Sequence, residues 1–179
     1  MATLLTISKF LSKHLRHQPE AIGLELEVGG WVKVEDLIAA CQHYGFPITL
    51  SEIREVVATD NKMRYSFNDD QSKIRANQGH STKVVMDFKE TKPPDKLYHG
   101  TVGKYLDAIM AEGLKKMNRH HVHLSKDIKT AEIVGGRRGQ AVILEVDAAA
   151  MHAVGYKFLI SANGVWLTYE VPAFYLKKL

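Results

Sequence analysis

The sequence predicts a two-module α+β protein, and three observations support this prediction. The first part of the chain spaces its apolar residues as on three short helices and follows them with a hairpin pattern. The second part alternates short apolar runs with glycine or polar breaks, which is typical of strands. Between the two parts, Lys89–Asp95 is charged and contains two adjacent prolines, which indicates a linker. We therefore divide the chain into residues 1–92 and 93–179.

The first module has a recognisable order of elements. Apolar residues at i, i+3, i+4 and i+8 from Ile7 predict a first helix. A second apolar face begins at Val34 and is closed by Gly45, and a third helix is capped by Thr49 or Ser51. The predicted hairpin strands are Tyr65–Phe67 and Lys73–Ala76. Three helices followed by a hairpin is the order of a winged helix, which commonly presents a helix and a wing to nucleic acid.

The second module is predicted to be a small mixed or mostly β domain. Its predicted strands are Lys96–Tyr98, Val122–Leu124, Ala141–Val146, Phe158–Ile160 and Val165–Leu167. One helix is expected over Tyr105–Ala111, ending at Gly113. Another is expected over Ile128–Val134, with Ser125 or Asp127 near its start.

Composition limits the classes of protein to consider. With 179 residues, 45% of them apolar, the chain is long enough to fold, which excludes a disordered protein. A formal net charge of +4 favours an anionic partner without requiring one. The single cysteine, Cys41, excludes an internal disulfide and a cysteine-based zinc cluster. Because no run of about 18 apolar residues occurs, we expect a cytoplasmic protein with no membrane partner, and a monomer by default.

Arg16 and His17 stand together at the predicted end of the first helix. A guanidinium offers a fixed fork of donors for a phosphate, and an imidazole exchanges a proton near neutral pH. The pair therefore predicts a phosphate-handling site. The alternative is a surface charge that complements the negative end of the helix dipole.

Basic, aromatic and small polar residues are interleaved through Lys62–Phe67 and Ile74–Ser81. Arginines on phosphates and aromatic rings stacked on bases are typical of contacts with an RNA strand. The two segments therefore predict an RNA-binding surface. The alternative is a solvated hairpin with an ordinary buried face.

Two histidine-bearing segments follow in the second module. In Leu97–Thr101 the glycine allows a ligand to approach the backbone, and the histidine and threonine can hydrogen-bond a sugar or a carboxamide. In Arg119–Ser125, His121 and His123 fall on one face of a strand, as two metal ligands would. A third ligand is needed from elsewhere, so hydrogen-bonding histidines in a polar cleft are the favoured interpretation.

Val134–Gly139 places Arg137 and Arg138 inside a glycine-rich connection. The segment is neither a G-x-x-x-x-G-K-[ST] phosphate loop nor a G-x-G-x-x-G dinucleotide loop, which disfavours kinase, ATPase and Rossmann-type functions. Its arginines could clamp a phosphate. The alternative is a flexible basic loop.

Taken in order, these motifs resemble the RNA 2'-phosphotransferase family, also called tRNA splicing 2'-phosphotransferases, from about Ile7 to Leu167. The most specific motif is Ile74–Ser81, which ends in Gln-Gly-His-Ser. The other matching segments are Ser8-Lys9, Leu15-Arg16-His17, Gly30-Trp31, Lys62–Tyr65, Tyr98–Thr101, His121–Ser125, Val134–Arg137 and Asn163–Leu167.

The resemblance implies both a fold and a reaction. The fold is an N-terminal winged-helix-like, RNA-binding lobe joined to a C-terminal ADP-ribosyltransferase-like lobe that binds NAD. In the implied reaction an internal 2'-phosphate of RNA attacks the NAD ribose carbon that bears nicotinamide, which gives an ADP-ribosylated 2'-phosphate. The neighbouring ribose hydroxyl then attacks phosphorus. The products are nicotinamide, RNA with a free 2'-hydroxyl, and ADP-ribose 1'',2''-cyclic phosphate.

The resemblance also implies roles for individual residues. The family's essential Arg-His, Arg and Arg fall on Arg16, His17, Arg64 and Arg137. Arg137 is preferred to Arg138 because it directly follows Val134-Gly135-Gly136. The expected NAD-binding residues are His99, Gly100, Thr101, His123 and Ser125. The expected RNA contacts are Arg75 and His80.

Positive charge from the arginines can replace that of a metal in this reaction, so we expect NAD as the co-substrate and no metal. Two other functions stay open at this stage. One is an ADP-ribosyltransferase that modifies a nucleic-acid phosphate and stops before the second step. The other is a winged-helix nucleic-acid-binding protein that senses NAD without turnover.

Overall fold

The computed structural model describes residues 2–179 and divides the chain into two compact units, Met1–Asp87 and Phe88–Leu179. Both units mix helices with small antiparallel sheets, so the chain is an α+β protein. The division falls before the expected position between residues 92 and 93. Lys89–Glu90, expected in a linker, is a strand of the second unit, because it pairs with Leu159–Ile160.

The α-helices of the first unit follow the predicted apolar faces. They are α1 (Leu4–Arg16), α2 (Val34–His43) and α3 (Leu50–Thr59). Thr49, and not Ser51, caps α3. Its hydroxyl accepts from the N–H of Glu52, and the Glu52 carboxylate accepts from the N–H of Thr49, which forms a capping box.

The strands of the first unit are β1 (Trp31–Lys33), β2 (Tyr65–Phe67) and β3 (Lys73–Ala76). They form an antiparallel sheet in the order β1-β3-β2. The hairpin is therefore confirmed at its predicted bounds. Residues 24–27 are irregular and lead through a 3-10 turn at Val28–Gly30 into β1.

One apolar core joins the helices and the sheet of the first unit. Leu15 of α1, Leu37 of α2, Ile53 of α3 and Ile74 of β3 are all fully buried in it. Burying a side chain of this size contributes about 1.5–3 kcal/mol. Cys41 lies in the same core, where burial raises the pKa of its thiol to about 11. This core fixes the end of α1 relative to the hairpin.

The second unit contains most of the strands of the chain. In chain order they are β4 (Lys89–Glu90), β5 (Lys96–Val102), β6 (Leu114–Lys115), β7 (Val122–Leu124), β8 (Ala141–Asp147), β9 (Leu159–Ile160), β10 (Trp166–Thr168), β11 (Glu170–Val171) and β12 (Leu176–Lys178). Its helices are α4 (Gly103–Glu112), α5 (Ile128–Gly135) and α6 (Ala148–Ala153). One sheet has the order β12-β8-β5, a second has the order β4-β9-β10-β7, and β6 pairs with β11.

The two larger sheets of the second unit meet at a single point. Tyr98 of β5 and Ser125, just after β7, exchange backbone hydrogen bonds of 2.9 and 2.7 Å. No further ladder pair joins β5 to β7 within residues 2–179. The two strands therefore separate beyond this bridge.

Helix α5 packs directly on β5 at two glycines. A Cβ on Gly100 would lie 1.8 Å from the carbonyl oxygen of Ala131, and a Cβ on Gly135 would lie 2.8 Å from the carbonyl carbon of Gly100. Neither position can carry a larger residue without moving the helix away from the strand. Glycine is therefore required at residue 100 by this helix packing, whereas the sequence suggested close approach of a ligand.

Most of the expected elements of the second unit are present. The strand β7 has the predicted bounds, β5 extends four residues further to Val102, and the side chain of Asp127 caps α5 by accepting from the N–H of Thr130. The pattern missed α6, β6, β11 and β12. These elements are too short to show a hydrophobic period of their own.

Candidate functional site

The end of α1 brings Arg16 and His17 against the loop that follows β3. The N–H of Ser81 donates to the carbonyl of Arg16 at 2.9 Å, and His17 Nδ1 lies 2.8 Å from Ser81 Oγ. In the same loop Gly79 has a φ of +88°, and a Cβ there would lie 3.8 Å from Arg16 Nη1. The Gln-Gly-His-Ser motif therefore folds over the Arg-His pair, although His17 and Ser81 are 64 residues apart in the chain.

The positive charges of Arg16 and Arg64 both influence the buried phenol of Tyr65. The guanidinium carbon of Arg16 lies 6.0 Å from the centre of the Tyr65 ring, and the Tyr65 hydroxyl donates to the carbonyl of Ser8. Burial raises the pKa of Tyr65, while that hydrogen bond and the positive charges of Arg16 and Arg64 oppose the rise. Three predicted catalytic residues, Arg16, His17 and Arg64, are thus grouped at one end of the first unit.

Arg64 follows the short loop after α3, and Asp60 organises that loop. The Asp60 carboxylate accepts from the backbone N–H groups of Lys62, at 3.2 Å, and Arg64, at 2.6 Å. It also forms an ion pair with Arg64 Nη1. The Asp60 side chain is only 6% exposed, whereas that of Arg64 is 32% exposed. Arg64 is therefore held through its backbone N–H and Nη1, and its side chain remains partly accessible to a ligand.

The two expected RNA contacts make contacts within the first unit. The guanidinium carbon of Arg75 lies 4.4 Å from the centre of the Trp31 ring, and Nη1 donates to Asp87 at 2.7 Å. His80 is buried, and a Cβ on Gly30 would come within 3.0 Å of its Nε2. Both side chains thus help to hold loops together. Contact with RNA stays a prediction for Arg75 and His80.

His99 lies where β5 and β7 separate. Its Nδ1 is 3.0 Å from the carbonyl oxygen of His123, and because a carbonyl only accepts, Nδ1 must be the donor. Burial lowers the pKa of His99, and the bond to His123 partly opposes this. The ring is therefore neutral near pH 7, and its Nε2 is an acceptor suited to a ligand hydroxyl.

The backbone of Gly100 faces the same opening. Groups along a strand point alternately to its two sides, and Tyr98 directs its N–H and C=O to Ser125. Gly100 is paired in register with Ile143, whose carbonyl accepts from Leu179 on the far side of β8. The N–H and C=O of Gly100 therefore point to the side from which β7 has separated.

The remaining expected NAD-binding residues lie on β5, on β7 and just after β7. Thr101 is buried at the end of β5, and Ser125 makes the bridge to Tyr98. His123 lies on β7, with its Nδ1 3.5 Å from Arg119 Nη1. Of this set, His99, Gly100 and His123 are brought together most directly.

Three arginines concentrate positive charge in the second unit. Burial lowers the pKa of Arg119, and the neighbouring charges of Arg138 and Arg137 lower it further. None of the ion pairs described for residues 2–179 involves Arg119, Arg137 or Arg138. The sequence-based interpretation did not select Arg119 as a site residue. Its position four residues before His123 was the signal that could have identified it.

Other features of the second unit lie apart from these residues. His121 packs against the rings of Phe88 and Tyr169, with centroids 5.7 and 5.1 Å away, and burial lowers its pKa to about 4. A surface pocket of about 560 Å³ is lined by α5, the start of β8 and the end of β12, and contains none of the predicted site residues.

Within residues 2–179, no three His, Cys, Asp or Glu side chains are grouped so that they could bind a metal ion. Over the same residues, no helix has both the length and the apolar character needed to cross a bilayer.

The grouped arginines and histidines are suited to a phosphorylated ligand, since guanidinium forks match phosphate geometry. Comparison with known sequences then gives the family. The family model described as "RNA 2'-phosphotransferase, Tpt1 / KptA family" matches residues 2–170. The chain belongs to this family of enzymes, which confirms the resemblance inferred from the motifs.

Individual relatives are similar over nearly their whole length. A protein of Nostoc punctiforme is 54% identical over 176 residues, which cover 98% of this chain and 97% of the relative. A protein of Streptomyces coelicolor is 55% identical over 171 residues, covering 96% and 93%, and one of Flavobacterium johnsoniae is 51% identical over 172 residues, covering 96% and 94%. All three carry the name "Probable RNA 2'-phosphotransferase".

Proposed function

We propose that this enzyme removes an internal 2'-phosphate from RNA by transferring it to NAD. The observation that carries the proposal is the family match over residues 2–170. The grouping of Arg16, His17 and Arg64 supports it, because these residues supply two phosphate-binding forks and one proton-exchanging ring.

The proposal includes a fold class for each unit. The first unit is a winged-helix module, a proposal supported by the order α1-β1-α2-α3-β2-β3 and by the sheet order β1-β3-β2. The second unit is an ADP-ribosyltransferase-like module, a proposal supported by its β-rich composition and by the separation of β5 from β7 beside His99.

In this proposal the first unit binds the RNA phosphate. A phosphomonoester has a second pKa of about 6 and is largely dianionic at neutral pH. It is therefore already a nucleophile and needs orientation more than a base. Arg16 and Arg64 provide that orientation through charge-assisted hydrogen bonds, which are strong and directional.

The second unit has a set of groups that fits NAD. The neutral His99 offers an acceptor to a ribose hydroxyl, and the N–H and C=O of Gly100 match the carbonyl and amine of a carboxamide. Arg119 and Arg138, which take part in none of the ion pairs described for residues 2–179, offer positive charge to a diphosphate. When bound, NAD supplies an electrophilic ribose carbon and a neutral leaving group.

In the first step an oxygen of the RNA 2'-phosphate forms a bond to the ribose carbon that carries nicotinamide. The bond from that carbon to the ring nitrogen breaks, and its electron pair leaves with neutral nicotinamide. Arg16 and Arg64 hold the phosphate in line for this attack. The RNA now carries an ADP-ribosylated 2'-phosphate.

In the second step the 2''-hydroxyl of the attached ADP-ribose attacks phosphorus, and the bond from phosphorus to the RNA 2'-oxygen breaks. The hydroxyl loses one proton and the RNA oxygen gains one. His17, exposed and hydrogen-bonded to Ser81, is assigned as the group that moves a proton in this exchange. Arg137 is assigned, with Arg16 and Arg64, to stabilise the charge that develops on the phosphoryl oxygens.

The proposal is tested with a short oligoribonucleotide that carries one internal 2'-phosphate, incubated with enzyme in the presence and absence of NAD. Mass spectrometry should show loss of the phosphate only with NAD, together with ADP-ribose 1'',2''-cyclic phosphate. Accumulation of ADP-ribosylated RNA alone would support the transferase that stops after one step. Unchanged RNA from folded protein would contradict the proposal.

A further inference from the structure

Asp60 occupies an unusual place for a carboxylate beside a phosphate-binding arginine. It follows the last turn of α3, is nearly buried, and accepts from Lys62 N, Arg64 N and Arg64 Nη1. Two of these three donors belong to Arg64. The same carboxylate therefore fixes both the backbone and the guanidinium of that residue.

The loop held by Asp60 is also fixed from its other side. Met63 has a φ of +43°, which is uncommon for a residue other than glycine. The buried side chain of Asn77 donates to the carbonyl of Met63 at 2.6 Å, and its N–H donates to the carbonyl of Arg64 at 2.8 Å. Such backbone geometry persists only where surrounding contacts impose it.

The charge of Asp60 works against phosphate binding. A carboxylate paired with Arg64 Nη1 repels a phosphate dianion that approaches the same guanidinium. A guanidinium has five N–H donors in a rigid fork, so pairing at Nη1 sets the direction in which the others point. The benefit of Asp60 must therefore lie in orientation and not in affinity.

We propose that Asp60 is a positioning residue that directs the Arg64 guanidinium at the transferring 2'-phosphate. This inference rests on the proposed function, because it requires that Arg64 contact the phosphate. It adds a residue that makes no contact with substrate and acts only through Arg64.

The first test replaces Asp60 with asparagine. Oδ1 of Asp60 accepts from Lys62 N and Arg64 Nη1, whereas Oδ2 accepts from Arg64 N. The single amide oxygen of asparagine can replace only one of the two, so the variant loses the negative charge and one of the two bonds to Arg64. We expect the single-turnover rate of phosphate loss to fall about 10- to 100-fold, the cost of a misplaced group. The KM for NAD should change less than about twofold. Asp70→Asn is the matched control, because Asp70 also accepts a backbone N–H, from Ser72, but is exposed and forms no ion pair with Arg64.

The second test asks whether the effect passes through Arg64. In an Arg64→Lys background, Asp60→Asn should change the rate less than about twofold, since the guanidinium that it positions is gone. An equal loss in both backgrounds would overturn the inference, as would an Asp60→Asn enzyme with the rate of wild type. If Asp60→Asn does not fold, Asp60→Glu is measured instead in the wild-type and Arg64→Lys backgrounds, and an equal loss of rate in both would again overturn the inference. Failure of the wild-type enzyme to remove the phosphate would instead reject the proposed function.

Discussion

The two units use arginine in different ways. In the first unit two of the arginines are tied to carboxylates: Arg64 pairs with Asp60, and Arg75 pairs with Asp87. In the second unit Arg119, Arg137 and Arg138 take part in none of the ion pairs described for residues 2–179. Burial, together with the charges of Arg138 and Arg137, lowers the pKa of Arg119.

This difference separates two tasks. The positive charge of a guanidinium held by a carboxylate is partly offset by its partner, but the guanidinium has a fixed direction, which suits alignment of a reacting phosphate. Guanidinium groups that have no carboxylate partner repel each other, and a bound anion relieves this repulsion. Such a cluster is suited to binding a diphosphate tightly. We therefore expect the carboxylate-held Arg64 to control the rate of transfer, and Arg119 and Arg138 to contribute to the binding of NAD.

The largest effect is expected at Arg64. Arg64→Ala should lower the rate of 2'-phosphate loss by about 1000-fold, because arginine clamps in phosphoryl transfer contribute effects of that order. Arg54→Ala is the control, since Arg54 is exposed and bonds only the hairpin residue Gln71 among the contacts described. The rate is measured in single-turnover assays with saturating NAD. A comparable loss in both variants would mean that general charge, and not position, matters.

The next effect concerns the glycine under α5. Gly100→Ala should destabilise the protein by about 3 kcal/mol, because the new methyl group would overlap the carbonyl of Ala131. Gly103→Ala should be nearly neutral, since nothing lies within 4 Å of its Cβ position. Denaturant unfolding of the two variants measures the difference. Equal stabilities would show that α5 does not rest on β5 as described.

A smaller effect should distinguish the three arginines of the second unit. Arg119→Ala should lower kcat/KM for NAD about 10- to 100-fold, the value of one or two charge-assisted hydrogen bonds. Arg137→Ala should lower the rate of 2'-phosphate loss by at least as much, because Arg137 is assigned to the phosphoryl oxygens. Arg138→Ala should lower kcat/KM for NAD by less than about fivefold. Steady-state kinetics with varied NAD give the ranking. An inactive Arg138 variant beside an active Arg137 variant would show that the essential arginine of this loop is Arg138.

The smallest effect is a pH dependence of stability at His121. Its pKa is about 4 in the fold and about 6.5 in the unfolded chain, so the unfolded state binds more protons in that range. Stability therefore falls as pH falls below 6.5, by about 2 kcal/mol between pH 7 and pH 5 from this residue. His121→Phe should remove that part of the loss. Unfolding curves are measured at both pH values. An equal loss of stability between pH 7 and pH 5 in wild type and variant would contradict this assignment.

Local features of the fold could be predicted from the sequence, whereas contacts between distant segments could not. The bounds of β2 and β3 followed from apolar residues on either side of a polar turn, and α3 from its capping residues. The bond from His99 to the His123 carbonyl depends on the separation of two strands, which no local pattern encodes.

The candidate site shows the same limit at the level of single residues. Gly100 was predicted to bind NAD, which stays a prediction, and the helix packing that requires glycine there became visible only in the fold. Asp60 precedes Arg64 by four residues, a spacing that a sequence suggests as an ordinary helix pair. Because α3 ends at Thr59, the carboxylate instead closes a loop around the arginine.

The central claim is that the RNA phosphate and NAD react with each other, one for one. The most direct test is a single-turnover experiment with RNA labelled at its internal 2'-phosphate and NAD labelled in nicotinamide, in which both labels are followed in the same samples. The account predicts one nicotinamide released for each phosphate lost from RNA, with nicotinamide release no slower than phosphate loss. Phosphate loss without nicotinamide release, or nicotinamide release at the same rate with and without RNA, would contradict it.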